Sequence, residues 1–235
     1  MTDKPLTKAE LAALAKFDTP TICNAIEELM PSHGAFGFTS KPLVCAKPEL
    51  GSMVGYAVTA TIRAMQPADC TAAEMEARMT RYYEHVASGP RPGIIVIEDL
   101  DPQPGYGAWW GEVHTNVHKG LGCAGTITNG SIRDLPLCAA GFQMLAGLVG
   151  PSHANVHAVA SGITVTVAGM TVSPGDLVHA DMHGAVVIPH AIARRIPATV
   201  AVQMRREAVI IKAAKSKGFS PAKLAAAGAK AKRIH

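Results

Sequence analysis

The sequence predicts an α/β fold with a mixed central sheet and helices at both ends. Short aliphatic runs such as Ile94–Ile97 alternate with helical patterns in the middle of the chain, which is typical of parallel βαβ units. Residues 162–189 then alternate in hydrophobicity around tight turns, as antiparallel strands do. The 235 residues contain no Ser/Gly-rich linker and no break in composition, so we expect a single domain over residues 1–235.

The N-terminal part of the chain predicts two short helices, a strand and a longer helix. Thr7 and Glu10 have the capping-box spacing for the first helix, and Pro20 is placed to begin the second. The predicted elements are a helix over residues 6–16, a helix over 19–30, a loop over 31–41, a strand within 50–64 and a helix over 69–85.

The remainder predicts βαβ units, then hairpins, then helices. The predicted central elements are a strand over 94–97, a helix over 112–121, a strand over 122–129, a helix over 135–140 and a strand over 143–148. Ala168-Gly169 and residues 173–176 are expected to turn between antiparallel strands, and the last strand is Val186–Ile188. Residues 190–217 are predicted helical, with Pro197 either starting or kinking the main helix, and Pro221 opens a final helix to Ala227.

The net charge of +4 arises in the C-terminal tail, residues 208–235, which holds seven Lys or Arg and no Asp or Glu. We interpret this basic tail as a solvated helical end. No aromatic residues alternate with the basic ones, as a platform for RNA or single strands requires, so nucleic acid is not an expected partner.

The cysteines and the N-terminus indicate a cytoplasmic protein. Five cysteines, odd in number and without a CxxC pair, predict neither a disulfide framework nor a cysteine zinc site. No run of about 18 apolar residues is present, so no membrane partner is expected.

The stretch from Gly111 to Asp134 is the main candidate site. Arg133 and Asp134 follow the predicted strand 122–129 at its carboxyl end, where open α/β sheets usually bind ligands. Asp134 could cap the helix predicted to follow it, with Arg133 as a solvated charge. Alternatively, Asp134 is a ligand for a hard divalent cation and Arg133 is a two-pronged donor for a substrate carboxylate.

Other motifs are weaker. Three pairs have the H-x-x-x-H spacing that can bind zinc on a helix, and they are His114/His118, His153/His157 and His179/His183. The first pair lacks the intervening glutamate of a zinc protease, and solvated or hydrogen-bonded histidines are the simpler interpretation. Glu98, Asp99 and Asp101 crowd the end of a strand beside a Gly-rich loop and mark a second possible site edge.

Glu112, followed after twenty residues by Arg133-Asp134, completes an acidic-x20-Arg-Asp motif. With the segments TPTICNAIEEL, MVGYAVTA, PGIIVIED, GCAGTITNGSIRD and VSPGDLVHADMHGAVVIP, this motif resembles the RraA-like family over most of the chain. That family includes class II 4-hydroxy-4-methyl-2-oxoglutarate/4-carboxy-4-hydroxy-2-oxoadipate aldolases, which also decarboxylate oxaloacetate. The resemblance implies an α/β/α swivelling-domain fold and a homotrimer or homohexamer with sites between subunits.

The resemblance also implies roles for individual residues. Asp134 would hold a Mg²⁺ or Mn²⁺ ion, and Glu112 would bind a water coordinated to that ion. Arg133 would bind the carboxylate or keto oxygen of the oxo acid substrate. The backbone amides of Val113 and His114 would hold the pyruvyl carboxylate, in agreement with the affinity of helix N-termini for anions.

Two features depart from the aldolase pattern. The aldolases usually have Asp at the position of Glu112, and the segments GPSHANVHAV and HADMHG are richer in histidine. We therefore expect the substrate, more than the reaction type, to differ. Glu207, on the C-terminal helix, is expected to reach a neighbouring subunit's site, as a C-terminal glutamate does in some members.

The predicted function is therefore metal-dependent cleavage of a 4-hydroxy-2-oxo acid through a pyruvate enolate. Two alternatives remain open. One is a non-enzymatic protein-binding regulator, since the family's namesake inhibits an RNA-degrading endonuclease. The other is a metal-dependent lyase or hydratase that acts on a different hydroxy acid.

Overall fold

The computed structural model describes residues 4–32 and 37–235. Its helices are α1 (Lys8–Leu14), α2 (Thr19–Leu29), α3 (Ala72–Ala87), α4 (Glu112–Gly120), α5 (His190–Ala193), α6 (Ile196–Ala214) and α7 (Pro221–Ala231). Its strands are β1 (Val44–Cys45), β2 (Met53–Arg63), β3 (Gly93–Asp99), β4 (Ala108–Trp110), β5 (Cys123–Thr128), β6 (Ser131–Ile132), β7 (Gln143–Ala146), β8 (Leu148–Val149), β9 (His157–Ser161), β10 (Val165–Val167), β11 (Met170–Val172), β12 (Leu177–Asp181) and β13 (Gly184–Ile188).

The central sheet is mixed, as predicted. Its strand order is β1-β7-β5-β3-β2-β12-β13, and β9 pairs with the far end of β2. Strands β2, β3, β5 and β7 run parallel, whereas β1, β9, β12 and β13 join as antiparallel strands. With helices at both ends of the chain, this architecture confirms the α/β fold class.

A second, small parallel sheet, β4-β6-β8, positions the candidate site. Strand β4 leads directly into α4, and β6 leads directly into Arg133. Because β4 and β6 are parallel neighbours, the start of α4 and Arg133-Asp134 emerge at the same edge. The fold therefore brings together residues that are about twenty positions apart in sequence.

The core has three clusters around the central sheet. One cluster packs α3 and the β4 tryptophans against the carboxyl-terminal half of β2, and a second packs α1, α2 and α6 against its first half. The third covers the opposite face, where the β10–β11 hairpin lies over β2 and β3. Strand β2 is central and buried at every position except Arg63, so its predicted alternation of apolar residues does not mark a solvent-facing side.

The N-terminal predictions are confirmed in detail. Thr7 caps α1 and forms the predicted capping box with Glu10, and Asp18 caps α2 through the Thr21 amide. The predicted loop 31–41 lies partly outside the described residues. Pro197 begins α6, so the interpretation that it starts the main helix is correct.

The predicted helix over residues 135–140 is wrong. These residues form turns. The amides of Leu137 and Cys138 both donate to the carbonyl of Asp134, and the next free amide, that of Ala139, donates to Thr115 Oγ1 at 3.0 Å. The Thr115 hydroxyl on α4 thus accepts the hydrogen bond that the Ala139 amide would donate to a carbonyl within a helix. Asp134 consequently has no helix to cap.

The predicted strand 143–148 is two strands in different sheets. Gly147 lies between β7 and β8, and a side chain there would collide with the carbonyl of Asn129. The close approach of these backbones therefore requires glycine and redirects the chain. Strand β9 was not predicted, because polar and small residues interrupt its hydrophobic alternation. Its pairing with β2 contains a bulge.

The basic tail folds back along α6. Helix α7 packs on α6, and the Arg205 and Arg206 side chains donate to the carbonyls of His235 and Ile234, each at 2.9 Å. Across the described part of the chain, no helix has the length and apolar character needed to cross a membrane.

Candidate functional site

A cavity of about 560 Å³ opens at the N-terminus of α4. Its walls come from α3, from β4 with the start of α4, from the segment after β6, and from the turn before β9. It is lined by Met75, Met79, Ala108, Trp109, Gly111, Glu112, Val113, His114, Arg133, Asp134, His153, Val156 and His157. The cavity therefore contains each predicted site residue except Glu207.

Asp134 lies against the first residue of the helix. The Glu112 amide lies 3.4 Å from Asp134 Oδ2, and Arg133 Nε lies 3.6 Å from the same oxygen. A Cβ at Gly111 would lie only 2.5 Å from that oxygen. Gly111 thus leaves the room that the carboxylate occupies.

The backbone of Asp134 has a φ of +55°, in the left-handed region that non-glycine residues seldom adopt. Such strain persists only where the surrounding structure holds it, and it concentrates at functional sites. Here it turns the chain away from β6 and aims the carboxylate at the start of α4. The carboxylate is one-third exposed, so it can bind a ligand in the cavity.

The N-terminus of α4 offers unpaired donors to this cavity. Gly111 is the N-cap residue and provides no side-chain cap. Within the described residues, the amides of Val113 and His114 donate to no protein acceptor, whereas the Thr115 amide donates to the Gly111 carbonyl. Two free amides and the positive end of the helix dipole favour an anion at this position.

Arg133 is anchored by its backbone and presents its side chain to the same space. Its amide donates to the Trp110 carbonyl at 2.9 Å, which extends the pairing of β4 with β6. Its guanidinium group is about one-third exposed. Among the described lining residues it is the one Lys or Arg, so it carries the positive side-chain charge of the cavity.

A cluster of aromatic and histidine side chains packs against the buried face of α4. His118 is fully buried, its Nδ1–H donates to the His114 carbonyl at 2.6 Å, and its Nε2 accepts from the Tyr82 hydroxyl at 2.7 Å. Burial lowers the pKa of His118 to about 4. Burial, with the nearby charge of Arg133, also lowers the pKa of His114 to about 4. Both imidazoles are therefore neutral near pH 7.

The His114 ring stands edge-on to Trp109, with 4.5 Å between ring centroids. Its Nδ1 is buried and has no hydrogen-bond partner among the described residues. The sequence indicated the backbone amide of His114 as a ligand donor, and the structure adds its side chain to the cavity wall. This packing could not be predicted from the sequence, because it depends on how β4 and α4 meet in the fold.

His153 and His157 lie on the wall formed by the turn before β9. The H-x-x-x-H spacing can bind zinc where it lies on a helix, but neither His153 nor His157 is helical. Throughout residues 4–32 and 37–235, no three His, Cys, Asp or Glu side chains meet in an arrangement that could hold a metal ion. The histidine pairs therefore do not supply the donor set that a zinc site needs.

The third histidine pair is structural. His179 is buried, its Nδ1 lies 3.0 Å from Thr19 Oγ1, and its Nε2 lies 3.1 Å from the Phe17 carbonyl. Asp181 accepts from the amides of Thr19 and His183. These contacts fasten the start of α2 to β12, away from the cavity.

The acidic residues after β3 organise loops around a different cavity. Asp99 accepts from the amides of Asp101 and Gly105, and Asp101 accepts from those of Ala64 and Met65. These carboxylates line a second cavity of about 590 Å³. Both Asp99 oxygens and Asp101 Oδ2 accept from backbone amides, and Asp101 Oδ1 lies 3.6 Å from Arg63 Nη1, so loop structure explains the second possible site edge.

Glu207 is exposed on α6 beside Glu28 and Arg206. It does not line the cavity at α4 within its own chain. Its expected contact with a neighbouring subunit's site stays a prediction.

A family model described as "RraA-like: Aldolase/RraA" matches residues 19–187, which is more than half of the chain. The chain belongs to the RraA-like family. The matched region of this RraA-like chain runs from the start of α2 into β13 and includes every lining residue of the cavity.

Solved structures share the RraA-like fold at low identity. An uncharacterized protein from Pseudomonas syringae pv. tomato superposes with a TM-score of 0.71 at 22% identity, covering 98% of this chain and 97% of the other. Streptomyces coelicolor RraAS2, described as an unusual member of the RNase ES inhibitor RraA family, gives a TM-score of 0.67 at 20% identity, covering 87% and 96%. These likenesses establish the fold.

A sequence relative is protein DlpA of Legionella pneumophila, 26% identical over 132 residues. The match covers 51% of this chain and 20% of DlpA, so the chain spans about a fifth of that relative's length.

Proposed function

We propose that this chain is a divalent-metal-dependent lyase that cleaves a 4-hydroxy-2-oxo acid and releases pyruvate. One observation carries the proposal. Asp134, Arg133, Val113 and His114 line one cavity, and among the described residues the amides of Val113 and His114 have no acceptor. A carboxylate, a guanidinium group and a helix N-terminus together suit a cation and the anionic head of an oxo acid.

The donor set fits Mg²⁺ or Mn²⁺. Asp134 is a hard oxygen ligand whose contacts to the Glu112 amide and to Arg133 are long, at 3.4 and 3.6 Å. Mg²⁺ usually takes one or two protein carboxylates and completes its shell with water and substrate oxygens. Asp134 would therefore hold the ion, with Glu112 close to the same space. When bound, the ion would supply Lewis-acid polarisation of the substrate's 2-oxo group.

The protein's own groups bind and orient the acid. The amides of Val113 and His114 hold the pyruvyl carboxylate, and the Arg133 guanidinium group donates to the oxygen on which enolate charge develops. Glu112 orients a water that accepts the C4 hydroxyl proton. As that proton leaves, C4 becomes a carbonyl, the C3–C4 bond breaks, and its electrons form the pyruvate enolate, which is then protonated at C3.

The same enolate results when oxaloacetate loses carbon dioxide, so one site supports both reactions. We propose that the chain assembles as a homotrimer or homohexamer, in which Glu207 reaches a neighbouring cavity. A protein-binding regulator is the alternative. Such a function would not require a residue with a strained backbone, Asp134, to place its carboxylate in a cavity.

The test is pyruvate release, coupled to a dehydrogenase, from oxaloacetate and from 4-carboxy-4-hydroxy-2-oxoadipate. Assays with Mg²⁺, with Mn²⁺ and with chelator are corrected for spontaneous oxaloacetate decay. We expect metal-dependent release that Asp134→Ala abolishes, whereas Arg133→Ala loses at least about 3 kcal/mol of transition-state stabilisation.

Two matched variants sharpen this test. Asp134→Asn keeps the side-chain size and removes the charge, so it should be as inactive as the alanine variant if the carboxylate is a metal ligand. Arg133→Lys keeps the charge and loses the planar pair of donors, so it should recover little activity. Near-normal turnover in Asp134→Ala or Arg133→Ala, in proteins with unchanged melting temperature, would refute the assignment.

A further inference from the structure

The wall of the cavity formed by α3 and the turn before β9 is chemically different from the Arg133–Asp134 side. It consists of Met75 and Met79 from α3 together with Val156, and on it lie the imidazoles of His153 and His157. A cavity of about 560 Å³ lies within the range of about 300–1,000 Å³ that holds drug-sized ligands. It thus leaves room beyond the pyruvyl head of a substrate.

The turn that carries His153, and the strand β9 that begins at His157, are held by several backbone contacts. The Ala108 amide of β4 donates to the Ser152 carbonyl at 2.9 Å, and Ser152 Oγ accepts from the Ala154 amide at 3.0 Å. Ala154 has a φ of +46°, which a surface loop without constraints would avoid. His157 is then fixed as the first residue of β9, paired with Arg63 of β2. Both imidazoles are therefore held in place before a ligand arrives.

Hydrogen bonds to the backbone fix which ring nitrogen carries the proton. His153 Nδ1 lies 2.7 Å from the Ala154 carbonyl, and His157 Nδ1 lies 2.8 Å from the Asn155 carbonyl. A carbonyl can only accept, so each Nδ1 must carry its hydrogen. In a neutral imidazole the opposite atom, Nε2, then presents a lone pair. In that tautomer each Nε2 can accept a hydrogen bond from a donor on the ligand.

The charges of the cavity argue in the same direction. Of the lining residues that the structure describes, Arg133 is the one Lys or Arg, and it serves the oxo acid head. Glu112 and Asp134 add negative charge. A second carboxylate on the substrate would therefore have no Lys or Arg to pair with. A hydroxyl group needs no such cation, because it can donate a hydrogen bond to Nε2 of a neutral imidazole.

We infer that His153 and His157 recognise hydroxyl groups on the part of the substrate beyond C4. The substrate class is then a 2-oxo acid with a polyhydroxylated tail, such as a 2-oxo-3-deoxyaldonic acid. This inference rests on the proposed function for the reaction, and it assigns to the two histidines a specificity role that a short oxo acid would not reveal.

The experiment compares kcat/KM for three acids, and these are oxaloacetate, 4-hydroxy-2-oxoglutarate and a six-carbon 2-oxo-3-deoxyaldonic acid. The test variant is His153→Asn/His157→Asn, because asparagine retains a donor near the position of Nδ1 and removes Nε2. We expect the variant to lose about 10-fold or more on the hydroxylated acid while oxaloacetate decarboxylation stays within about twofold. The matched control is His153→Gln/His157→Gln, whose amide oxygens can accept near the Nε2 positions and should restore part of the loss.

Several results would overturn the inference. They are an equal loss on all three acids, no loss on the hydroxylated acid, or a wild-type preference for the carboxylate tail of 4-hydroxy-2-oxoglutarate. A binding measurement separates this from failure of the proposed function. Titration calorimetry with gluconate against hexanoate should show gluconate binding that the asparagine variant weakens, even if no acid yields pyruvate. If gluconate binds no better than hexanoate, His153 and His157 do not recognise hydroxyl groups.

Discussion

Replacing Gly111 with alanine should inactivate the site without unfolding the protein. The added Cβ would lie 2.5 Å from Asp134 Oδ2, whereas ordinary contact begins at 3.4 Å. The Asp134 carboxylate must therefore retreat by about 0.9 Å, since the backbone on either side is fixed by α4 and by β4–β6 pairing. The backbone of Gly111 itself, at φ −164°, is extended and accepts alanine without strain.

A displacement of about 1 Å in a positioned group can cost about 10²-fold in rate. We expect Gly111→Ala to lose about that factor in metal-dependent kcat/KM and to require more Mg²⁺ or Mn²⁺ for half-maximal activity. The assay is coupled pyruvate release at several metal concentrations, with the melting temperature measured in parallel.

The control is Gly120→Ala, at the other end of the same helix. A Cβ there has no neighbour within 4 Å, so alanine should keep activity and stabilise the helix by up to about 1 kcal/mol. If Gly111→Ala retains nearly normal kcat/KM and metal dependence, the position of Asp134 against the helix start does not matter to catalysis. The assignment of Asp134 as the metal ligand would then lose its structural basis.

Two further predictions concern the buried cluster under α4. Tyr82→Phe removes the hydroxyl that donates to His118 Nε2 and leaves a buried acceptor without that partner. The free energy of unfolding, measured by urea titration, should therefore fall by about 1–3 kcal/mol. An unchanged midpoint would show that water replaces the hydroxyl. The pKa of His118 is about 4 in the folded protein against 6.5 for the free side chain, so the unfolded chain binds a proton first as pH falls. The contribution of His118 to the free energy of unfolding should therefore be complete above pH 6.5. It should decline between about pH 6.5 and 4, by about 1.4 kcal/mol per pH unit. The folded variant His118→Gln should show a smaller decline over that range, and an equal decline would assign the effect to other groups.

The sequence predicts most of the fold because its local signals agree with the tertiary structure. Thr7 with Glu10, and Thr19-Pro20, mark the helix starts at which α1 and α2 begin. The run Ile94–Ile97 reads as a strand buried on both faces, and β3 lies in the middle of the sheet. These elements require no knowledge of distant partners.

The errors occur where a distant partner decides the backbone. Residues 135–140 carry a helical pattern, but Thr115, on α4, binds the amide of Ala139. The strand predicted over 143–148 breaks at Gly147 because the Asn129 carbonyl approaches it closely. Neither contact can be read from the residues near the break, since each depends on an element more than fifteen positions away.

The candidate site divides in the same way. Glu112, Arg133 and Asp134 were found from the spacing of a motif, and the parallel pairing of β4 with β6 explains why that spacing brings them together. His153 and His157 have the H-x-x-x-H spacing, but the sequence predicts no helix at these positions and does not show where either ring points. In the structure each Nδ1 lies against a backbone carbonyl, so the opposite nitrogen, Nε2, is left for a ligand on the cavity wall.

This division bears on how substrate choice can change within the fold. The groups expected to perform the common chemistry are tied to β4, β6 and α4, so any change in their spacing would misplace Asp134 relative to the helix amides. The turn before β9 is joined to that framework through the Ser152 carbonyl, which accepts from the Ala108 amide, and His153 and His157 line the same cavity. If His153 and His157 recognise the substrate tail as proposed, we expect substitutions at these two positions to alter the tail that is accepted while the reacting end stays fixed. Variation of specificity is expected in this turn rather than in the acidic-x20-Arg-Asp motif.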